Sequence, residues 1–166
     1  MKRMLLCAVG GLLAGCDYTV PLVKTPETAI DRGLVGLWQR VGEEGKEQRL
    51  LVLPLSKVEY LIVFQAGEED AMYAKGCIWR GASLMLLQLD WFATAQAKFP
   101  ENDRTFQYAS FVREGDTLKF RLLNPDIVSR DLASTDALTK AITENKDDPK
   151  LFGRETVFQR VKDETE

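Results

Sequence analysis

The sequence predicts a mainly β protein, an antiparallel meander that closes into a barrel of about eight strands, with one helix before the last strand. Three observations carry this. Apolar and polar side chains alternate with the period of two that a pleated strand imposes: Leu118, Phe120 and Leu122 share one face, with Lys119 and Arg121 opposite. Consecutive segments are joined by short turns, the clearest being Glu114-Gly115-Asp116, a three-residue hairpin loop containing Gly. Only one stretch, near the C-terminal end, has the helical period. A meander of this size either closes or exposes long edges, and closure removes them.

The elements follow in order. Residues 30–34 form a short helical turn leading into a strand at 35–41, and Gly42-Glu43-Glu44-Gly45 turns the chain. Residues 48–53 and 57–64 read as two strands around Pro54-Leu55-Ser56. After the acidic turn at 66–70 come strands at 71–80 and 83–91, joined at Gly81-Ala82. A longer connection at 92–103 holds Pro100 and Asn102, and strands at 105–113 and 117–124 form the hairpin named above. Residues 136–145 place Ala137, Leu138, Ala141 and Ile142 on one helical stripe. Ser134 or Thr135 caps this helix, and Asp136 suits its positive end. Pro149 stops it, a last strand follows at 155–161, and residues 162–166 form a charged, frayed tail.

Three segments break the simple alternation. Residues 50–53, 61–64 and 84–87 are apolar on both faces. A strand buried on both sides needs cover on its outer face, from a helix, the N-terminal segment or a partner.

Composition narrows the function classes. The 166 residues are 45% hydrophobic and 28% charged, an ordinary globular balance that suits one domain. The net charge of -3 offers no basic surface for a phosphate backbone, so nucleic acid is not an expected partner. The chain contains 0 His, which removes Ser-His and Cys-His nucleophiles and His-based zinc sites.

The N-terminal sixteen residues point to a destination. Lys2 and Arg3 precede an apolar run over residues 4–14, too short to span a ~30 Å hydrocarbon core. A positive start followed by a short apolar run and small residues is the pattern of a secretory signal. The run closes on Leu13-Ala14-Gly15-Cys16, which resembles the lipobox of bacterial lipoproteins. The resemblance implies cleavage before Cys16, diacylglycerol on its sulfur and acylation of the new amino group. It makes residues 1–15 a signal peptide and places the protein in the cell envelope, facing the periplasm and held to the bilayer by acylated Cys16. Asp17 resembles the inner-membrane retention signal of enterobacterial lipoproteins and favours that membrane. Loss of residues 1–15 removes Lys2 and Arg3 and leaves 20 basic against 25 acidic residues, a net charge of -5. Cys77 is then the single thiol not consumed by lipid, either a small buried hydrophobe or a reactive group.

Residues 16–29 read as lipidated N-terminus and tether. Pro21 and Pro26 favour extended backbone, and thirteen residues at ~3.1 Å each reach roughly 40 Å. Pro21 and Leu22 are apolar enough to dock on the domain, which occupies residues 30–161.

Gly36-Leu37-Trp38 at the start of the first strand resembles the Gly-x-Trp that opens lipocalin-type barrels, and a helix before one last strand is similar too. The resemblance implies a Trp plugging the closed end and packing on an Arg from a late strand, here Arg154 or Arg160. Pro21-Leu22, Thr25-Pro26, Ile30-Asp31, Gly36 with Trp38, and Leu151-Phe152-Gly153 with Thr156, Phe158 and Arg160 also look like a group of uncharacterised bacterial lipoproteins, which implies location and fold.

No residue pattern points to catalysis. None of Ser56, Ser83, Ser110, Ser129 or Ser134 has Lys three residues on. Gly81-Ala82-Ser83-Leu84-Met85 starts like a nucleophile elbow, but Met85 stands where Gly is needed, so it reads as a hairpin turn. Glu68-Glu69-Asp70 and Lys146-Asp147-Asp148 lack a calcium-loop pattern and read as solvated charges. Asp90 beside Trp91 is an acid in an apolar run, expected at the barrel rim with a hydrogen-bond partner. The expectation is a non-enzyme with no metal or cofactor. Trp38, Tyr60, Phe64, Trp79, Trp91, Phe106, Tyr108 and Phe120 either fill a core or line a pocket, since eight strands enclose an interior that side chains fill or that holds one small ligand. Two functions follow: an accessory module that binds another envelope protein, or a carrier or sensor of a small apolar ligand.

Overall fold

The computed structural model describes residues 18–42, 45–99 and 104–162. The signal segment, Cys16, Asp17, Pro100, Asn102 and residues 163–166 of the tail lie outside it. Eight strands run in chain order: β1 Gly36–Val41, β2 Glu47–Pro54, β3 Tyr60–Phe64, β4 Met72–Gly81, β5 Leu84–Thr94, β6 Phe106–Glu114, β7 Thr117–Leu123 and β8 Phe152–Arg160. Each pairs antiparallel with the next, and β8 returns to β1, closing a barrel. Closure rests on a short seam, Trp38 opposite Arg160 and Gln39 opposite Gln159, extended by the Val161 N–H donating to the Leu37 carbonyl at 2.9 Å. A 3-10 turn at Arg32–Leu34 precedes β1, and α1, Thr135–Glu144, lies between β7 and β8. The fold is therefore the closed eight-stranded antiparallel barrel that the patterning predicts, with the helix before the last strand that a lipocalin-like barrel has.

Local chemistry sets the element limits. The Ser134 hydroxyl accepts from the Ala137 N–H at 3.1 Å, so Ser134 is the helix cap, with Asp136 in the first turn. β3 begins three residues later than expected, because the Ser56 hydroxyl holds the N–H groups of Val58 and Glu59 in a turn. β8 begins three residues earlier, at Phe152. There the Arg121 guanidinium donates to the carbonyls of Phe152 at 2.7 Å and Gly153 at 2.8 Å, bridging a register shift between β7 and β8.

Two hydrophobic clusters form. One fills the barrel with Trp38, Val52, Tyr60, Ile62, Phe64, Ile78, Leu89, Trp91, Leu118 and Phe158. The other lies outside the wall, where Leu138 and Ile142 of α1 meet Leu86, Tyr108, Leu123, Val128, Leu151, Tyr18 and Leu22. The segment expected as a tether is thus part of the fold from Tyr18 onward, and the domain begins there rather than at residue 30. Tyr18 pairs through both backbone groups with Phe106, at 3.1 and 3.0 Å, and its ring is 1% exposed. The physical reason is the outer apolar face of β5 and β6, which helix α1 alone does not cover.

Candidate functional site

Three places on this fold offer surface for chemistry: the interior, the strapped outer face over β4–β6, and the outer face of β1–β4.

One end of the barrel is plugged. Trp38 is fully buried, donates its indole N–H to the Leu34 carbonyl at 2.9 Å, and stacks under the Arg160 guanidinium at 4.2 Å. Arg160 also donates to the carbonyls of Val35 at 2.8 Å and Gly33 at 2.6 Å. Of the two arginines that the lipocalin resemblance leaves open, Arg160 packs on the Trp, and Arg154 is exposed on the outside. Gly36 has φ +144°, and a Cβ there would run into the Arg160 guanidinium, so the Gly of Gly-x-Trp makes room for the cation. The Tyr60 hydroxyl accepts from the Asp31 N–H at 2.6 Å and donates to the Asp31 carbonyl at 3.1 Å, tying the entry turn to the core. Burial pushes the Tyr60 phenol up to about 12.

The remaining interior holds a cavity of about 60 Å³ walled by residues such as Leu50, Val52, Phe64, Leu89, Phe111 and Phe120. Gln107 is the polar group there, and its amide oxygen accepts from the Trp91 indole N–H at 2.9 Å. Small-molecule sites typically need 300–1,000 Å³. This barrel is largely filled by its own side chains.

The aromatic candidates divide by strand parity. Trp38, Tyr60, Phe64, Trp91 and Phe120 face inward. Trp79, Phe106 and Tyr108 do not: they stand on the outer face, in the cluster beneath α1 and the N-terminal segment. On β6 the inward positions are Gln107, Ala109 and Phe111, so a polar residue and an alanine occupy the places an apolar pattern assigns to aromatics. The signal that separates them is the polar Gln88 on β5, paired with Tyr108, which marks a face where backbone rather than solvent is met.

Gln88 is buried, and its amide oxygen accepts from the N–H groups of Leu22 at 2.8 Å and Val23 at 2.9 Å, while its nitrogen donates to the Val23 carbonyl at 3.0 Å. The Tyr108 hydroxyl donates to the Val20 carbonyl, the Tyr18 hydroxyl to the Val128 carbonyl at 2.8 Å, and Thr135 to the Pro21 carbonyl at 2.7 Å. Residues 18–23 therefore form a strap in which seven of the eleven backbone groups bond to the barrel or the segment at α1. Beside it opens a cleft of about 370 Å³ lined by Pro26, Glu59, Lys75, Cys77 and Asp90 among others. Cys77 is 5% exposed, and burial, reinforced by Glu59 and Asp90, pushes its thiol up to about 11. It is protonated at neutral pH and matches the small buried hydrophobe rather than the reactive group. Asp90 accepts from the Thr105 hydroxyl at 3.0 Å. Ala82 and Ser83 both have positive φ, as a two-residue hairpin turn requires, so Ser83 sits in a turn between strands.

On the opposite outer face no helix or strap packs among the described residues, and only Val63 is buried there. Leu37, Leu51, Val63 and Tyr73 stand in register across β1, β2, β3 and β4, with Leu53 and Leu61 paired beside them. None of these six belongs to either cluster. Leu53 is 39% exposed, and Phe92, tilted against Tyr73 at 6.4 Å, is 41% exposed. Among the described residues no group of three or more metal-ligating side chains converges, and no helix is long and apolar enough to cross a membrane.

Comparison with family models, curated proteins and solved structures finds no match to this chain.

Proposed function

We propose that this chain is a lipid-anchored protein of the bacterial cell envelope that works without catalysis, by binding another envelope protein through the outer face of β1–β4. The observation that carries the reading is the registered row Leu37, Leu51, Val63 and Tyr73, an apolar outer face on which no described helix or strap packs, with Val63 buried and the other three partly open. The lipobox-like Leu13-Ala14-Gly15-Cys16 supports the location, and the two acylated groups it implies hold a protein stably where one chain does not. Photo-crosslinkers at Leu51 and Leu53 in cells of the native host test it. Both are expected to trap the same discrete envelope protein, and a crosslinker at Lys140 on the solvent side of α1 is expected to trap none. Crosslinks confined to lipid, or spread evenly over all three positions, overturn the reading.

The carrier reading keeps one observation, the apolar interior cavity. At about 60 Å³ it limits cargo to a few heavy atoms and excludes an acyl chain without opening of the barrel. Native mass spectrometry of protein purified without detergent exchange decides it: a bound lipid mass would restore the carrier reading.

A further inference from the structure

We infer that the rim of the barrel around Tyr18 lies directly against the phospholipid headgroup layer, so that the protein is clamped to its membrane in one orientation rather than suspended on a tether. The inference rests on the lipid anchor proposed above and adds the surface that meets the bilayer. Its basis is how firmly Tyr18 is held in the fold and how close it stands in sequence to Cys16. Tyr18 is fixed by two backbone hydrogen bonds to Phe106, by its hydroxyl on the Val128 carbonyl and by its ring packed 5.2 Å from Tyr108. Cys16 is two residues upstream, and two residues span at most about 7 Å. The polar layer on each side of the hydrocarbon core is about 5–7 Å thick. A Cys sulfur carrying lipid therefore leaves no gap: what surrounds Tyr18 touches headgroups.

The residues placed there follow from Tyr18's partners. Arg104 is two positions before Phe106, and Arg130 two positions after Val128. Arg104 holds Asp131 at 2.5 Å and is part-exposed. Charge does not choose this rim, because Arg104 is paired with Asp131 and the Glu68-Glu69-Asp70 turn between β3 and β4 stands at the same end of the barrel; the short reach from Tyr18 back to Cys16 carries the placement. The β2–β3 turn at Leu55 belongs to the other end of the barrel, where Pro54 pairs with Tyr60 near the Trp38 plug. Along β6 alone the two ends are separated by roughly 27 Å of strand. The open face of β1–β4 then stands beside the bilayer rather than on it, since β2 lies four strands from β6 in either direction around the barrel.

The test uses the full lipidated chain in vesicles of phosphatidylethanolamine and phosphatidylglycerol, with Cys77→Ala as background and a fluorophore at Ser129→Cys or Leu55→Cys. A quencher on the lipid headgroup is expected to extinguish the label at position 129 and leave that at 55 bright. Fifteen Gly/Ser residues inserted between Asp17 and Tyr18 are expected to restore the first label while the protein still floats with vesicles. Equal quenching at both positions in a chain that floats overturns this inference and leaves the anchor standing. A chain without acyl mass that stays soluble overturns the anchor and this inference with it.

Discussion

The two outer faces of the barrel began with the same problem and solved it differently. Strands β2, β3 and β5 are each apolar on both sides, so each needs cover. Over β5 and β6 the chain supplies its own: Leu138 and Ile142 of α1 and Tyr18 and Leu22 of the strap bury Leu86 and Tyr108. Over β1–β4 no described helix or strap packs: Val63 is buried, but Leu37, Leu51, Leu53, Leu61 and Tyr73 remain partly open. The difference teaches that a two-faced apolar strand specifies the need for cover and not its source. Where the chain holds an amphipathic element of the right length, cover is internal; where it does not, the face is free for the partner proposed above.

The largest expected effect is on the covered side. Leu138 is fully buried between helix and wall. Leu138→Ala is expected to lower stability by about 2–5 kcal/mol, read as a drop in the urea midpoint at unchanged slope. If the loss is below about 1 kcal/mol, the helix is not the structural cover argued here.

Most of this architecture was legible beforehand. Eight strands, their order and the late helix followed from alternation and from turns such as Glu114-Gly115-Asp116, because local period and turn chemistry act at short range. The plug was half legible: Gly36-Leu37-Trp38 marks the position, but Arg160 was chosen over Arg154 only by the pairing of Trp38 with β8, a contact across more than 120 residues. The strap was likewise half legible: Pro21 and Leu22 are apolar enough to dock. Pro21 and Pro26 do keep the segment extended, but what decides whether it is free is Gln88, some 65 residues away, whose amide satisfies three backbone groups. Trp79, Phe106 and Tyr108 were placed with the interior aromatics because composition does not say which parity faces in when both parities are apolar.

The barrel closure shared by both faces comes next. Arg160→Ala removes a cation–π contact and two charge-assisted hydrogen bonds, with an expected cost of about 2–3 kcal/mol. Arg160→Lys keeps the charge but not the fork, and is expected to recover less than half of that loss. An Arg160→Lys chain as stable as the parent would mean that the charge, rather than the bidentate geometry, does the closing, and Ala and Lys variants both as stable as the parent would mean that neither matters.

The strap is the next most sensitive part. Gln88→Leu leaves the N–H groups of Leu22 and Val23 without their acceptor, at about 1–3 kcal/mol, and is expected to speed maleimide labelling of Cys77 at pH 8. Labelling as slow as in the parent chain would show that strap and thiol are uncoupled. A pH titration examines the same region. Cys77 is raised from 9.0 to about 11 and Tyr60 from 10.0 to about 12, both chiefly by burial. Between pH 9 and 12 the unfolded chain gives up protons that the folded chain keeps, so stability is full below about pH 9 and falls as pH rises through that window. Burial raises Tyr108 as well, which adds to the alkaline loss. A stability curve flat to pH 12 would contradict this, and Cys77→Ala is expected to remove the earliest part of the decline.

The smallest expected change in stability is on the open face, and it discriminates best between the two sides. Leu53 is 39% exposed and Leu51 is half-buried. Leu53→Glu is expected to shift stability by no more than about 0.5 kcal/mol, because it removes no packed core contact and adds a charge that water can reach. Capture of the partner by the crosslinker at Leu51 is nevertheless expected to disappear, since a carboxylate in the middle of an apolar interface must be desolvated without a counter-charge. The two readouts must separate. A Leu53→Glu chain that unfolds would show that this face is core, held by something within the chain. One that folds and still captures its partner would show that the face is merely tolerated surface. Only a folded chain that no longer binds fits the contrast between a wall that covers itself and a wall that waits for another protein.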